Sequence, residues 1–283
     1  MTRKDAFKHV AQIVNRSGTS FYWSMRLLPK KRRLGIYSIY AFCREVDDIA
    51  DCDLPPSTKL EKLGEWRQEI HRVFVGAPKT LIGHALQSSA AVFGLKKIDF
   101  LRVLDGMEQD AALVVRIPDW GSLEEYMDCV SCSVGRLSNP IFGISGDKSE
   151  KLAKSLGQAL QLTNIIRDLV EDASNNRLYI PRDMISEHRI CSKIPLDVIL
   201  HPGFKKIYER MIKRAETLFE QASSIISTGD RKNMVPASLM LERYWRVLKK
   251  LKKTDGPTCG QTVALSKLEI TWLLIRCSIL RWH

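Results

Sequence analysis

The segment QLTNIIRDLVED, residues 161–172, carries two patterns at once. Asn164, Asp168 and Asp172 recur every four residues, so their oxygen-bearing side chains share one helical face, while Leu162, Ile166 and Leu169 fall on a different side. A helix with this pattern is apolar enough to be buried and brings a polar stripe inside with it. The segment REVDDIAD, residues 44–51, matches it: it ends the apolar run Ile36, Ile39, Tyr40, Cys43, and Asp47 and Asp51 are again four apart. That placement is electrostatically poor twice over. Like charges at i and i+4 repel, and carboxylates at a helix C-terminus oppose the macrodipole. A nearby cation must compensate.

Working outward, apolar residues recur at three and four almost everywhere, which predicts an all-α chain with no need for strands. Pro29, Pro55-Pro56, Gly76 and Pro78 punctuate the pattern, and helices are expected at about 30–51, 58–75, 79–94, 97–113, 122–145, 148–173, 203–227, 231–253 and 265–281. Ser122 with Glu125 reads as a capping box, and Pro140 should kink or end its helix. No repeat stands out, so residues 1–283 are expected to form a single all-α domain. Of the 283 residues 45% are hydrophobic and 27% charged, which excludes disorder and low complexity. No apolar run reaches the roughly 18 residues of a membrane span, and the start MTRKDAFKHV lacks a signal peptide's apolar stretch. Seven cysteines, an odd number, argue against a disulfide framework. The expected location is therefore cytoplasmic.

The two acidic stripes suit a hard dication. Magnesium takes oxygen ligands, keeps several waters, and binds through one or two carboxylates plus substrate phosphates. Facing stripes would hold magnesium ions and, through them, a diphosphate whose departure the ions assist. A single stripe is more often a solvated acidic face; two stripes on apolar helices, each with an arginine nearby, shift the balance toward a site. Arg44 and Arg167 suit bidentate phosphate contacts, or they pair within their helices with Asp48 and Glu171. Asp105, Glu108 and Asp110 form a third acidic patch, read equally as a helix face or as support for the metal site. Cys129 and Cys132 have redox or zinc spacing, but without a second pair or a nearby histidine they read as core residues.

Taken together, SFYWSMRLLPKKRR (20–33), IYAFCREVDDIAD (39–51), LDGMEQDA (104–111), EYMDCVSCSVGRL (125–137) and QLTNIIRDLVEDASNNRLYIPRD (161–183) resemble the squalene and phytoene synthase family of head-to-head prenyl transferases. The resemblance implies an isoprenoid-synthase-type helical bundle around a central cavity. It implies Asp47, Asp51, Asn164, Asp168 and Asp172 as Mg2+ and diphosphate ligands, and Ser20, Tyr40, Arg44 and Arg167 as diphosphate contacts. Phe21 and Met25 would line the cavity, Gln161 would sit near the metal face, Tyr244 would close the cavity or pack on the last helices, and Tyr126 would serve proton removal. The wording is most like the bacterial hopanoid branch, which implies Mg2+-dependent condensation of two farnesyl diphosphates to presqualene diphosphate. Phytoene, dehydrosqualene and squalene formation are the alternatives within the family. The stretch GQTVALSK (260–267) departs from the pattern, with Gln261, Thr262 and Ala264 where the family carries arginines.

The net charge of +12 invites a nucleic-acid reading, but the basic excess sits in the last third, no helix-turn-helix or zinc signature appears, and the acidic stripes would go unexplained. A non-catalytic prenyl-lipid carrier would need the cavity but not Asp168 and Asp172 together. Lys249, Lys250, Lys252 and Lys253, with the apolar and basic stretch from Leu268 to Trp282, suggest peripheral contact with an anionic membrane; a terminal helix docked on the core is the alternative. Diphosphate beside Tyr126 is the favoured base, because a tyrosine with an ordinary pKa near 10 accepts protons poorly.

Overall fold

A computed structural model describes residues 2–18, 22–26, 28–254 and 256–257. Its helices begin and end where the punctuation requires. Pro29, with extended ψ, starts α3 (Lys30–Asp51), which ends as Cys52 turns extended before Pro55. Pro56 opens α4 (Pro56–Val75), and Gly76, left-handed at φ 92°, closes it. Thr80 caps α5 (Leu81–Phe93), and α6 runs Lys97–Asp110. Two amino-terminal helices precede these, α1 (Arg3–Arg16) and α2 (Tyr22–Arg26). Neither is among the helices expected above, although Thr2 and Asp5 form a capping box at the start of α1.

The 122–145 expectation divides. Asp119, not Ser122, caps α7 (Trp120–Met127): its carboxylate accepts the Ser122 N–H. A π-helical turn, Asp128–Cys132, interrupts the helix before α8 (Ser133–Phe142). Pro140 lies in the last turn of α8, close to its end at Gly143. The 148–173 expectation becomes α9 (Gly146–Arg167) and α10 (Leu169–Ser174), broken at Asp168 (φ −99°, ψ 11°). The break leaves the helical register intact, since Asp168 N donates to Asn164 O and Asp172 N to Asp168 O, both at 2.8 Å. α11 (Arg182–Glu187), α12 (Pro195–Leu200), α13 (Phe204–Ser227) and α14 (Arg231–Thr254) complete the described chain.

Strands do occur, contrary to expectation. β1 (Val115–Arg116) and β2 (Arg177–Leu178) pair in parallel, Val115 with Arg177 and Arg116 with Leu178. Two residues are too few to show alternation. The pairing draws on Arg116, which donates to Asn176 O and Oδ1, both at 2.6 Å, and so holds Asn176 in its left-handed conformation (φ 58°).

α9 lies at the centre, with Leu152, Leu156, Leu160, Ile165 and Ile166 buried, and packs on α8, α13 and α14. α3 packs across α1, α5, α6 and α8 through Ile39, Phe42, Val46 and Ala50. Close approach of α9 to the π turn requires Gly157: a Cβ there would stand 2.9 Å from both Cα and N of Cys132. Backbone cannot give way as a flexible side chain can. Gly157→Ala should therefore cost about 1–3 kcal/mol in urea unfolding; stability equal to the parent's would contradict this packing.

Candidate active site

Two apolar cavities share one wall. Met25 of α2, Ile36, Ile39, Tyr40 and Cys43 of α3 and Pro236 of α14 line the first, of about 210 Å³. Leu156, Leu160, Gln161 and Asn164 of α9 and Tyr244 of α14 line the second, of about 220 Å³. Val134, Ser138 and Phe142 of α8, with Met240, border both. The first cavity follows α3 upward, and one turn past Cys43 comes Asp47. The second follows α9 upward, and one turn past Asn164 comes Asp168. On each helix, then, an acidic row starts one turn beyond the last residue that lines the cavity.

Arg44, 3.8 Å from Asp47, supplies part of the compensation, and Arg177, which the sequence pattern did not single out, supplies a further part. Its Nη1 donates to Asp51 Oδ1 at 3.0 Å and its Nη2 to the Asp110 carbonyl at 3.1 Å, at the C-termini of α3 and α6. Lys59 adds a second cation at the end of α3, donating to Ala50 O at 2.9 Å. Arg177 also acts electrostatically on Asp47 and Asp172, so both acidic rows bear on one guanidinium. It does not neutralise them. Burial, then repulsion from Asp51, pushes the Asp47 carboxyl up to about 6. Burial, then the Asp168 charge, pushes Asp172 up to about 7.

The remaining predicted contacts take ordinary partners. Arg44 makes the intrahelical pair with Asp48, Nη2 to Oδ1 at 2.6 Å, rather than standing free for phosphate. Arg167 passes over Glu171 and grips Asp168 with two bonds, at 2.7 and 2.6 Å. Tyr244 bonds to Arg167 and helps keep it charged. Ser20 and Phe21 lie outside the described residues, as do residues 258–283 with the GQTVALSK segment and the apolar, basic tail.

Asn164 carries the clearest sign of a missing partner. Its Oδ1 is buried and accepts no hydrogen bond among the described residues, although it borders the second cavity. An unsatisfied amide oxygen beside repelling carboxylates is a donor set that fits a hard cation. Among the described residues, no three acidic, histidine or cysteine side chains stand close enough together to hold a metal ion alone.

The third acidic patch splits in two. Asp105 and Glu108 both bind Arg67, Nη2 to oxygen at 2.7 and 2.8 Å, and so form a surface network. Asp110 turns inward, only 8% exposed, and accepts hydroxyls from Tyr126 (3.0 and 2.9 Å) and Tyr179 (2.6 Å), whose rings stack at 4.9 Å. Arg177 and Tyr179, two apart on the β2 segment, share a face and both reach Asp110. The thiols of Cys129 and Cys132 are pushed up to about 11 and about 12 by burial, which leaves them inert core groups.

Comparison with known proteins places this architecture. The family model for squalene/phytoene synthase matches residues 14–269. A presqualene diphosphate synthase of Sinorhizobium fredii is 39% identical over 98% of this chain and 99% of its own length. One from Rhodopseudomonas palustris is 37% identical over 93% and 94%. A crystal structure of a dehydrosqualene synthase in complex with ligand, 24% identical, shares the fold at a TM-score of 0.84, covering 99% of this chain and 98% of its own. The fold and the relatives together are those of a helical prenyl-transferring synthase. The chain belongs to the squalene/phytoene synthase family.

The raised Asp172 carboxyl fixes the sign of a pH effect. A folded-state value of about 7 against an ordinary 3.8 means that ionisation opposes folding, so this contribution to stability is lost as pH rises through about 7. Asp172→Asn removes the charge. In EDTA, its melting temperature relative to the parent should be several degrees higher at pH 8 than at pH 5; an equal difference at both would contradict the burial of this carboxylate.

Proposed function

We propose that this chain condenses two farnesyl diphosphates head to head, in the presence of Mg2+, to presqualene diphosphate and diphosphate, in squalene and hopanoid synthesis. The observation that carries this reading is a pair of apolar hollows that share lining residues of α8; their last lining residues on α3 and α9, Cys43 and Asn164, come one helical turn before Asp47 and Asp168. Two amphiphiles with hydrocarbon tails and anionic heads fit such a site. The near full-length relatives named for presqualene diphosphate formation support the choice of product.

Asp47, Asp51, Asn164, Asp168 and Asp172 would hold magnesium, with the substrate's phosphates and water completing its coordination. When bound, the metal would neutralise charge on the departing diphosphate. The protein's own residues do the rest. Arg44 and Arg167, released from their carboxylate partners, offer bidentate contacts to the phosphates. Tyr40, Gln161 and Tyr244 stand on the cavity walls below the rows. The apolar lining excludes water, which would otherwise capture the allylic cation before the second double bond attacks it. Proton loss then closes the cyclopropane, with the departed diphosphate, beside Tyr126, as the base.

Delivery of a water-insoluble product motivates a further part of the proposal, peripheral contact with an anionic membrane through the basic end of α14 and the residues beyond it. Among the described residues, no helix is long and apolar enough to cross a membrane. Liposome pelleting at low salt tests this contact: co-sedimentation that weakens with added salt is expected, and absence of binding would remove it.

Incubation with farnesyl diphosphate and Mg2+, without reductant, should yield presqualene diphosphate. Asp47→Ala and Asp168→Ala should each lower turnover by about 1,000-fold or more with the far-ultraviolet circular dichroism unchanged, because each removes a charge that serves the transition state. Activity retained in either variant would refute the metal assignment, and phytoene formed from geranylgeranyl diphosphate alone would refute the product.

A further inference from the structure

A larger cleft, of about 560 Å³, lies between α9 and α13. α9 gives Leu156, Leu160 and Asn164 to the second cavity but Lys151, Lys154, Ser155 and Gln158 to this cleft, and the two sets fall on nearly opposite faces of the helix. Gln158 is only 3% exposed, yet its side-chain amide makes no hydrogen bond among the described residues. Its neighbour Ser155 is satisfied, donating to Lys151 O at 2.9 Å. Buried amides are ordinarily paired, so one that lines a cleft with its oxygen and nitrogen unmet points to a partner that enters the cleft.

The charge of the cleft says what kind of partner. Lys151, Lys154 and Arg214 line it against one acid, Glu124. That acid is already engaged, accepting from Arg214 at 3.0 Å and from the Trp120 indole N–H at 2.8 Å. Arg214 gives one amine to Glu124 and keeps further N–H donors. Lys151 pairs with Asp147 at 2.6 Å, whereas Lys154 makes no ion pair among the described residues. A neighbouring hollow of about 430 Å³ shares Glu124 and Arg214 with the cleft and adds Lys213, also without an ion pair among the described residues, and Arg210, which binds Glu187 at 2.9 Å. On the α13 side Gln221 and Ser224 are neutral and polar, so the positive charge gathers toward Lys154 and Arg214.

We propose that this cleft binds a small phosphate-bearing solute, with Lys154 and Arg214 on the phosphate charge and the Gln158 amide on one of its oxygens. Several cations beside an amide donor suit the several oxygens and multiple charge of a phosphate better than a single carboxylate. The size of the cleft is that of an ordinary small-molecule site. The width of α9 separates it from the hydrocarbon hollows, so its ligand is not the prenyl substrate in its catalytic position, and the inference stands apart from the presqualene diphosphate reading.

Calorimetric titration of inorganic phosphate into the full chain, in EDTA to keep divalent cations off the acidic rows, tests this. Binding of roughly millimolar affinity or tighter is expected. Lys154→Ala and Gln158→Leu should each weaken it at least tenfold, and Arg44→Ala should leave it unchanged. Weakening by Lys154→Ala with none by Gln158→Leu would reduce the cleft to a charged surface and overturn the proposal. Binding lost in Arg44→Ala instead would put the anion at the acidic rows and overturn it too, as would a parent that binds no phosphate. Should Gln158→Leu fail to fold, Gln221→Glu, at an exposed position on the same cleft, supplies the test: its added negative charge should weaken binding severalfold, and unchanged binding overturns the proposal. Phosphatidylglycerol vesicles that bind through Lys154 and Gln158, beside a parent that ignores inorganic phosphate, would assign the cleft to a lipid headgroup and overturn the soluble ligand.

Discussion

Carboxylates gathered at the ends of buried helices repel one another and oppose the helix dipoles, and the fold tolerates them here because cations stand among them, one of which, Arg177, bears on both rows. Arg177 binds Asp51 at the end of α3 and the last carbonyl of α6, and it acts on Asp47 and Asp172 as well. Arg177, with Arg44, Arg167 and Lys59 around it, does not balance so many acids. Asp47 and Asp172 stay raised, and Asn164 Oδ1 keeps an unmet acceptor. The head of the site is thus left short of positive charge, the condition under which a hard cation would find oxygen donors waiting.

The position of Arg177 depends on distant parts of the chain. β1 and β2 pair over only two residues, but that ladder carries Arg177 across to α6, and Arg116 secures the turn before it. The hollows depend on backbone proximity elsewhere. Gly157 lets α9 approach the π turn, and α8, which leaves that turn, forms the wall common to both cavities. The shape of the apolar hollows is therefore set by α8 and α9, and the charge beyond them by α3, α10 and β2.

The helical class and both acidic rows were legible in the sequence because they follow a period of 3.6 over long stretches: α3 ends where Asp51 and the prolines say it should, and Asn164, Asp168 and Asp172 keep their register through the break at Asp168. What escaped has a common physical cause. Arg177, Tyr179 and the inward turn of Asp110 belong to contacts between segments 67 and 69 positions apart, with a two-residue ladder that leaves no alternation to read. The π turn at Asp128–Cys132 escaped because one extra residue per turn does not disturb the spacing of apolar residues enough to register. Even so, the demand for a cation near Asp47 and Asp51 could be stated in advance, though not which residue would meet it.

The claim on which everything else stands is that the two rows serve one ligand. Calorimetric titration of inorganic diphosphate, with and without Mg2+, into the parent, Asp51→Asn, Asp168→Asn and the double variant measures this directly. Binding that requires Mg2+, weakens at least tenfold in either single variant, and weakens little further in the double variant is the predicted result, since coupled residues are not additive. Diphosphate binding that survives intact in one single variant, or losses that simply add, would mean that the rows act separately and would contradict it.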